Sequence, residues 1–194
     1  MNRMNDKRHA SPPAPRHANR GVTLVEVLVV MGIVATLMAI GIPSYRYVTN
    51  ANRISAEING LLGDLQFARS EAIKEGQSVT VCVSSDQATC LGATTTTWHS
   101  GWIVYSDLNG NGTVDAGEVL RSQKTFTGTD TLNANNNIGA ITFNREGFAS
   151  TNGTLITLHA APASQGSTRC LSITLVGLVT TQKYGDVDGG NTCL

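Results

Sequence analysis

The chain has 194 residues with 14 basic and 14 acidic side chains, so its formal charge is zero at pH 7. Charge is unevenly spread: residues 1–21 hold Arg3, Lys7, Arg8, Arg16 and Arg20 against Asp6, which leaves the remainder at about −4. An acidic remainder argues against a nucleic-acid-binding surface, and the length allows one modest globular domain beyond the apolar stretch near the N-terminus.

Residues 1–21 are polar and proline-rich (Ser11-Pro12-Pro13-Ala14-Pro15) and read as a disordered leader. From Val22 to Ile42 the chain then runs for 21 residues with Glu26 as its only charge. At about 1.5 Å per residue, a helix of that length covers roughly 32 Å, close to the hydrocarbon thickness of a bilayer. The basic leader predicts a cytoplasmic N-terminus and export of the chain beyond the apolar span. Glu26 would cost about 2 to 3 kcal/mol to bury in lipid, so it calls for a role. A secretory signal peptide has a shorter apolar core and a small-x-small cleavage site. Here the bulky Pro43-Ser44-Tyr45-Arg46-Tyr47 comes next instead. A plain single-pass anchor fits the length but leaves Glu26 unexplained.

Arg20-Gly21, followed by Thr23-Leu24-Val25-Glu26 and an unbroken apolar run, resembles the type IV prepilin processing motif shared by pilins and type II secretion pseudopilins. The resemblance implies cleavage after Gly21 by a prepilin peptidase on the cytoplasmic face and N-methylation of the new terminus at Val22. It implies that Glu26 recruits the subunit into a growing filament. The implied location is the inner membrane before polymerisation and the pilus afterwards. Other minor and major pilin subunits and an inner-membrane assembly platform are the implied partners. The first mature residue of this family is usually Phe, whereas here it is Val22; Gly21, the cleavage determinant, is in place. Cleavage creates an ammonium at Val22, which on a neighbouring subunit or its own is the natural partner of Glu26. The alternative is a carboxylate that snorkels to the headgroups.

Beyond Ile42, Pro43 is expected to kink the helix rather than end it, because the apolar period resumes. Ile54, Ile58, Leu61, Leu62, Leu65, Ala68, Ala72 and Ile73 recur at three- and four-residue steps, with charged residues filling much of the remaining surface. Gly76 is a natural stop. After it the pattern becomes β. Strands are expected at Ser78–Val83, Gly101–Tyr105, Val119–Gln123, Ala140–Asn144, Thr154–Leu158, Cys170–Leu175 and Gly177–Thr180, with Gly-, Asn- and Thr-rich separators. The expected fold is α+β: a long N-terminal helix packed on an antiparallel β-sheet domain. Its divisions are the leader (1–21), a transmembrane segment (22–42), an amphipathic continuation (43–76) and a periplasmic β domain (77–194).

Arg145-Glu146-Gly147-Phe148, Gly101-Trp102-Ile103-Val104-Tyr105 and the loop from Asp107 to Glu118 together resemble the globular part of the minor-pilin and pseudopilin-H group. Membership implies a low-abundance subunit in the complex that starts filament assembly and stays at its tip. Type IV pilus and type II secretion pseudopilus need the same leader, span and domain, so both readings stay open.

Cys82, Cys90, Cys170 and Cys193 all lie beyond the apolar segment; four cysteines allow three pairings, and export favours disulfides. Cys82–Cys90 would close a short loop and Cys170–Cys193 would tie down the tail. Zinc is the alternative, although no CxxC pair supports it. Asp107, Asn109, Asn111, Thr113, Asp115 and Glu118 match the calcium-loop string D-x-[DN]-x-[DN]-G-x5-E. Strands are expected on both sides of it rather than helices, and an Asn-Gly hairpin turn explains Asn109 to Gly112 without a metal. No cofactor is therefore expected, with calcium the one candidate.

No catalytic string is present; His9 and His17 lie in the leader, and neither His99 nor His159 sits in HExxH or beside a plausible nucleophile, so the chain does not read as an enzyme. Some related minor pilins capture DNA through basic C-terminal residues. Here Leu178 to Leu194 offers Lys183 alone against Asp186 and Asp188, and phosphate binding needs a basic cluster.

Overall fold

A computed structural model describes residues 21–151, 153–161, 165–188 and 190–194. The leader through Arg20, including His9 and His17, lies outside the described residues. The chain divides into two compact units, 1–44 and 45–194, and α1 (Leu24–Glu75) contributes to both.

In the first unit Thr23 starts the helix: its Oγ1 accepts from the Glu26 N–H at 3.2 Å and its carbonyl from the Val27 N–H at 3.2 Å. This is the N-cap arrangement, and Thr23-x-x-Glu26 is the string of a capping box. Every residue from Gly21 to Ser44 is exposed, including Leu24 at 81% and Ile40 at 74%. Thr36 turns its hydroxyl back onto the carbonyls of Ile33 (2.8 Å) and Gly32 (3.2 Å), so it asks for no outside partner. Length and composition suit this helix to crossing a membrane. Pro43 lies inside α1, where its missing N–H does not end the helix.

In the second unit the rest of α1 buries Ile54, Ile58, Leu61, Leu65, Ala68 and Ala72 at alternating four- and three-residue steps. Leu62 is partly buried against the same core. Ile73, expected on this stripe, is 52% exposed, because it lies off the 54–72 line. Gly76 adopts φ +69° and returns its N–H to the Ala72 carbonyl at 3.0 Å, which closes the helix.

The β region is antiparallel throughout and forms two four-stranded sheets rather than one. β1 (Val79–Val83), β2 (Trp102–Ser106), β3 (Val119–Gln123) and β5 (Ala140–Phe143) make the first, in the order β3-β2-β1-β5. β4 (Thr131–Ala134), β6 (Thr154–His159), β7 (Arg169–Ile173) and β8 (Val179–Lys183) make the second, in the order β4-β6-β7-β8. A short hairpin of β9 (Val187–Asp188) and β10 (Asn191–Thr192) ends the chain.

One core joins these parts. Val79, Val81 and Val83 of β1, Trp102 and Val104 of β2, and Ile141 and Phe143 of β5 meet the α1 stripe. So do Leu132 and Ala134 of β4, Ile156 and Leu158 of β6, and Leu171 and Ile173 of β7. Strand alternation fixes which residues face this core.

Leu65 is fully buried at the centre of the stripe. Leu65→Ala is expected to lower unfolding stability by about 3 kcal/mol, within the usual range of buried leucine truncations. Ile73→Ala should change it by under about 1 kcal/mol. Denaturant unfolding of both variants in detergent checks the pair.

Candidate functional site

The N-terminal residues nominated by the sequence stand together at the head of the apolar helix. Gly21 and Val22 precede it, Thr23 caps it and Glu26 lies in its first turn, where the helix dipole favours an acid. Gly21 has open space where a Cβ would go, and its backbone is not in the left-handed region. Nothing in the described fold requires a glycine there. Glu26 is exposed among exposed Val22, Val25, Val27 and Val30.

In the globular unit, the strings that suggested a family are the places where α1 grips the sheets. Trp102 is buried and its indole N–H donates to Asp64 Oδ2 of α1 at 2.9 Å. Arg121 of β3 pairs with Asp64 Oδ1 at 3.2 Å and lies 3.6 Å over the Phe67 ring, a cation–π contact. Arg69, also on α1, donates to the carbonyls of Gly147 and Val176 at 3.0 Å each. Gly147 and Gly177 have positive φ, and a Cβ on Gly177 would collide with the Gly147 carbonyl oxygen and the Arg69 side chain. The Arg145-Glu146-Gly147-Phe148 string is thus a turn that carries a carbonyl to Arg69.

The structure pairs Cys82 with Cys90 and Cys170 with Cys193. Each bond sits on the face of a sheet turned away from the shared core. Cys82 packs with Ile103 and Tyr105, and Cys170 with Leu155. The first bond closes a loop organised by Asp86, a residue that no motif singles out. Its carboxylate accepts from the Thr89 hydroxyl (2.7 Å), the Thr89 N–H (2.8 Å), the Ala88 N–H (2.9 Å) and the Ser84 hydroxyl (3.0 Å). Those donors, the Thr89 hydroxyl foremost, hold Asp86 well below the usual carboxylate range. Its signal in the sequence is an Asp followed by Thr89 three residues on, an Asx-turn pattern.

The segment from Asp107 to Glu118 connects β2 to its neighbour β3, so it is a hairpin loop. Most of its nominated side chains accept hydrogen bonds from within the loop. Asp107 accepts from the N–H groups of Asn111 (3.1 Å) and Gly112 (2.9 Å). Glu118, buried, accepts from those of Leu108 (3.0 Å) and Asp115 (2.9 Å). Asp115 takes the side-chain amides of Asn109 (2.7 Å) and Asn111 (2.8 Å), while Asn111 Oδ1 accepts from the Thr113 N–H and hydroxyl. Among the described residues no group of three or more His, Cys, Asp or Glu side chains is placed to hold a metal.

The family described as Type II transport protein GspH matches residues 57–177, well over half of the sequence. The chain belongs to the GspH family. The GspH region begins within α1, takes in Asp64, Arg69 and Trp102, and ends at the Gly177 turn that Arg69 grips. A second family, described as Prokaryotic N-terminal methylation motif, matches residues 16–42 and so covers Gly21, Val22 and Glu26. No curated protein matches the chain. Two crystal forms of the type IV minor pilin FimU from Pseudomonas aeruginosa share the fold. One is 19% identical with a TM-score of 0.50, covering 75% of this chain and 98% of that one. The other is 18% identical with a TM-score of 0.51, covering 78% and 98%. GspH-type and methylation-motif segments together mark a pilin or pseudopilin subunit, a structural protein.

Because the carboxylates of the β2–β3 loop already brace its own N–H groups, its stability is expected to be independent of calcium. Melting temperatures in excess calcium and in chelator should agree, and Asp107→Ala should cost about 1 kcal/mol, because Gly112 loses its acceptor and the Asn111 N–H keeps only Asn109 Oδ1. A calcium-dependent rise that Asp107→Ala abolishes would place a cation in the loop.

Proposed function

We propose that the chain is a minor type IV pilin that takes part in initiating pilus assembly and sits at or near the pilus tip. The observation that carries the reading is the head of α1: an exposed apolar helix, opened by Gly21, Val22, Thr23 and Glu26, on a chain whose remainder is of GspH type. A prepilin peptidase cuts after Gly21, and Val22 becomes the methylated terminus. Among the described residues nothing requires a glycine at 21, which supports recognition by an outside agent.

Glu26 then supplies the attraction for assembly. In lipid an uncompensated carboxylate is costly, and the ammonium freed at Val22 is a partner of opposite charge. A membrane subunit thereby gains a reason to stack that its apolar surface, already content in lipid, does not supply. Before assembly the chain spans the inner membrane once, N-terminus in the cytoplasm and β domain in the periplasm. The divisions are the leader (1–21), the transmembrane segment (22–42), the amphipathic continuation (43–76) and the β domain (77–194). Its partners are other minor and major pilins, the peptidase and the assembly platform.

One observation favours a second reading. The matching family is described as a type II transport protein, which suits a pseudopilin at the tip of a type II secretion pseudopilus. The subunits recovered with the native protein separate the two.

Glu26→Ala is expected to leave membrane insertion intact and to reduce co-purification of partner pilins by about tenfold, the equivalent of roughly 1.4 kcal/mol. Unchanged recovery of partners would remove Glu26 from assembly.

A further inference from the structure

Glu57, Arg53 and Asp130 form a polar constellation that neither strand pairing nor turn closure requires. Arg53 and Glu57 are one turn apart on α1, and Asp130 immediately precedes β4. The Asp130 side chain is fully buried. Arg53 grips it with two bonds, Nε to Oδ2 at 2.7 Å and Nη2 to Oδ1 at 2.9 Å. The Ala161 N–H, just beyond β6, donates to Oδ1 at 2.7 Å. Asp130 therefore ties the helix to the ends of two strands of the second sheet.

Glu57 lies within hydrogen-bond reach of this same carboxylate. Its Oε2 is buried and meets no donor. Two ionised carboxylates side by side offer only acceptors and repel each other. A single proton turns that repulsion into an O–H···O⁻ hydrogen bond, among the stronger kinds in proteins.

We propose that Glu57, Asp130 and Arg53 form a proton-operated clasp between α1 and the entrance to β4, closed by one proton held between the two carboxyls and loosened when it leaves. Burial of Glu57, and after it the charge of Asp130, push the Glu57 carboxyl up to about 7, while Arg53 pulls the other way. Lys124, from the segment after β3, lines a groove of about 310 Å³ with Glu57, Gly60, Trp102 and Phe126, which gives the proton a route to water. Asp64, further along α1, is committed to Trp102 and Arg121. His159 at the end of β6 is exposed and pairs in register with Thr131, the residue after Asp130.

The direction of the pH effect is set by linkage. An unfolded Glu57 releases its proton near 4.5, whereas the folded one keeps it to about 7. The clasp's stabilisation is complete below the lower value, declines as pH rises between the two and is absent above the upper. This inference does not depend on which filament the chain enters.

The test uses the full chain in detergent, unfolded at about pH 5 and about pH 8 as wild type and as Glu57→Gln, whose amide donates to Asp130 without titrating. The wild-type unfolding constant is expected to rise roughly tenfold or more, relative to Glu57→Gln, between these values. Parallel profiles for the two proteins would overturn the clasp. If Glu57→Gln does not fold, the carboxyl ¹³C shift of Glu57 in the wild type decides. A midpoint well above the ordinary glutamate range supports the clasp, and one near 4.5 overturns it.

Discussion

The globular unit depends on one contact: the stripe from Ile54 to Ala72 against the inner faces of two separate sheets. Each sheet is a hydrogen-bonded ladder of its own, and what they share is apolar core. The six stripe residues are each no more than 3% exposed, and they reach strands from both sheets. Burial at about 25 cal/mol per Å² makes such a contact the main source of cohesion. Specificity comes from polar residues beside it. Asp64 and Arg69 of α1 reach across to Trp102, Arg121, Gly147 and Val176, which sets where along the helix each sheet sits.

With the inner faces occupied, the outer faces need other cover. Cys82 and Cys170 point outward because their neighbours Val81, Val83, Leu171 and Ile173 point inward. The disulfides hold a loop and the C-terminal tail against those faces. Val114 from the β2–β3 loop, with Cys90, Val119 and Ala140, packs against the cluster of Cys82, Ile103 and Tyr105 on the outer face of the first sheet.

The long helix, the turn to β at Gly76 and six of the strands were legible because each rests on local chemistry: a 3.6-residue period, a glycine stop, β-branched runs. The seventh, expected at Gly177–Thr180, begins only at Val179 and runs to Lys183, because Gly177 closes a turn at positive φ. Residues 131–134 were not. Thr131-Leu132-Asn133-Ala134 has only two apolar residues, both facing the core, and the asparagines after it read as loop. β9 and β10 are two residues each, too short for any period. The division into two sheets was also hidden, since strand order is set by pairing between distant segments. The bond between Arg53 and Asp130 spans 77 positions, and no local pattern announces it. At the head of α1 the opposite holds. Gly21, Val22 and Glu26 stand out in the sequence, while the described residues give Gly21 no packing reason to be there.

Function turns on that contrast: a glycine the described residues do not need, close to an acid that lipid does not welcome. The most direct measurement is intact-mass and N-terminal peptide mass spectrometry of the native protein from cells with an active prepilin peptidase. A chain that begins at Val22 and carries one added methyl group on its amino terminus is the expected result. A native chain that still carries residues 1–21 would contradict it.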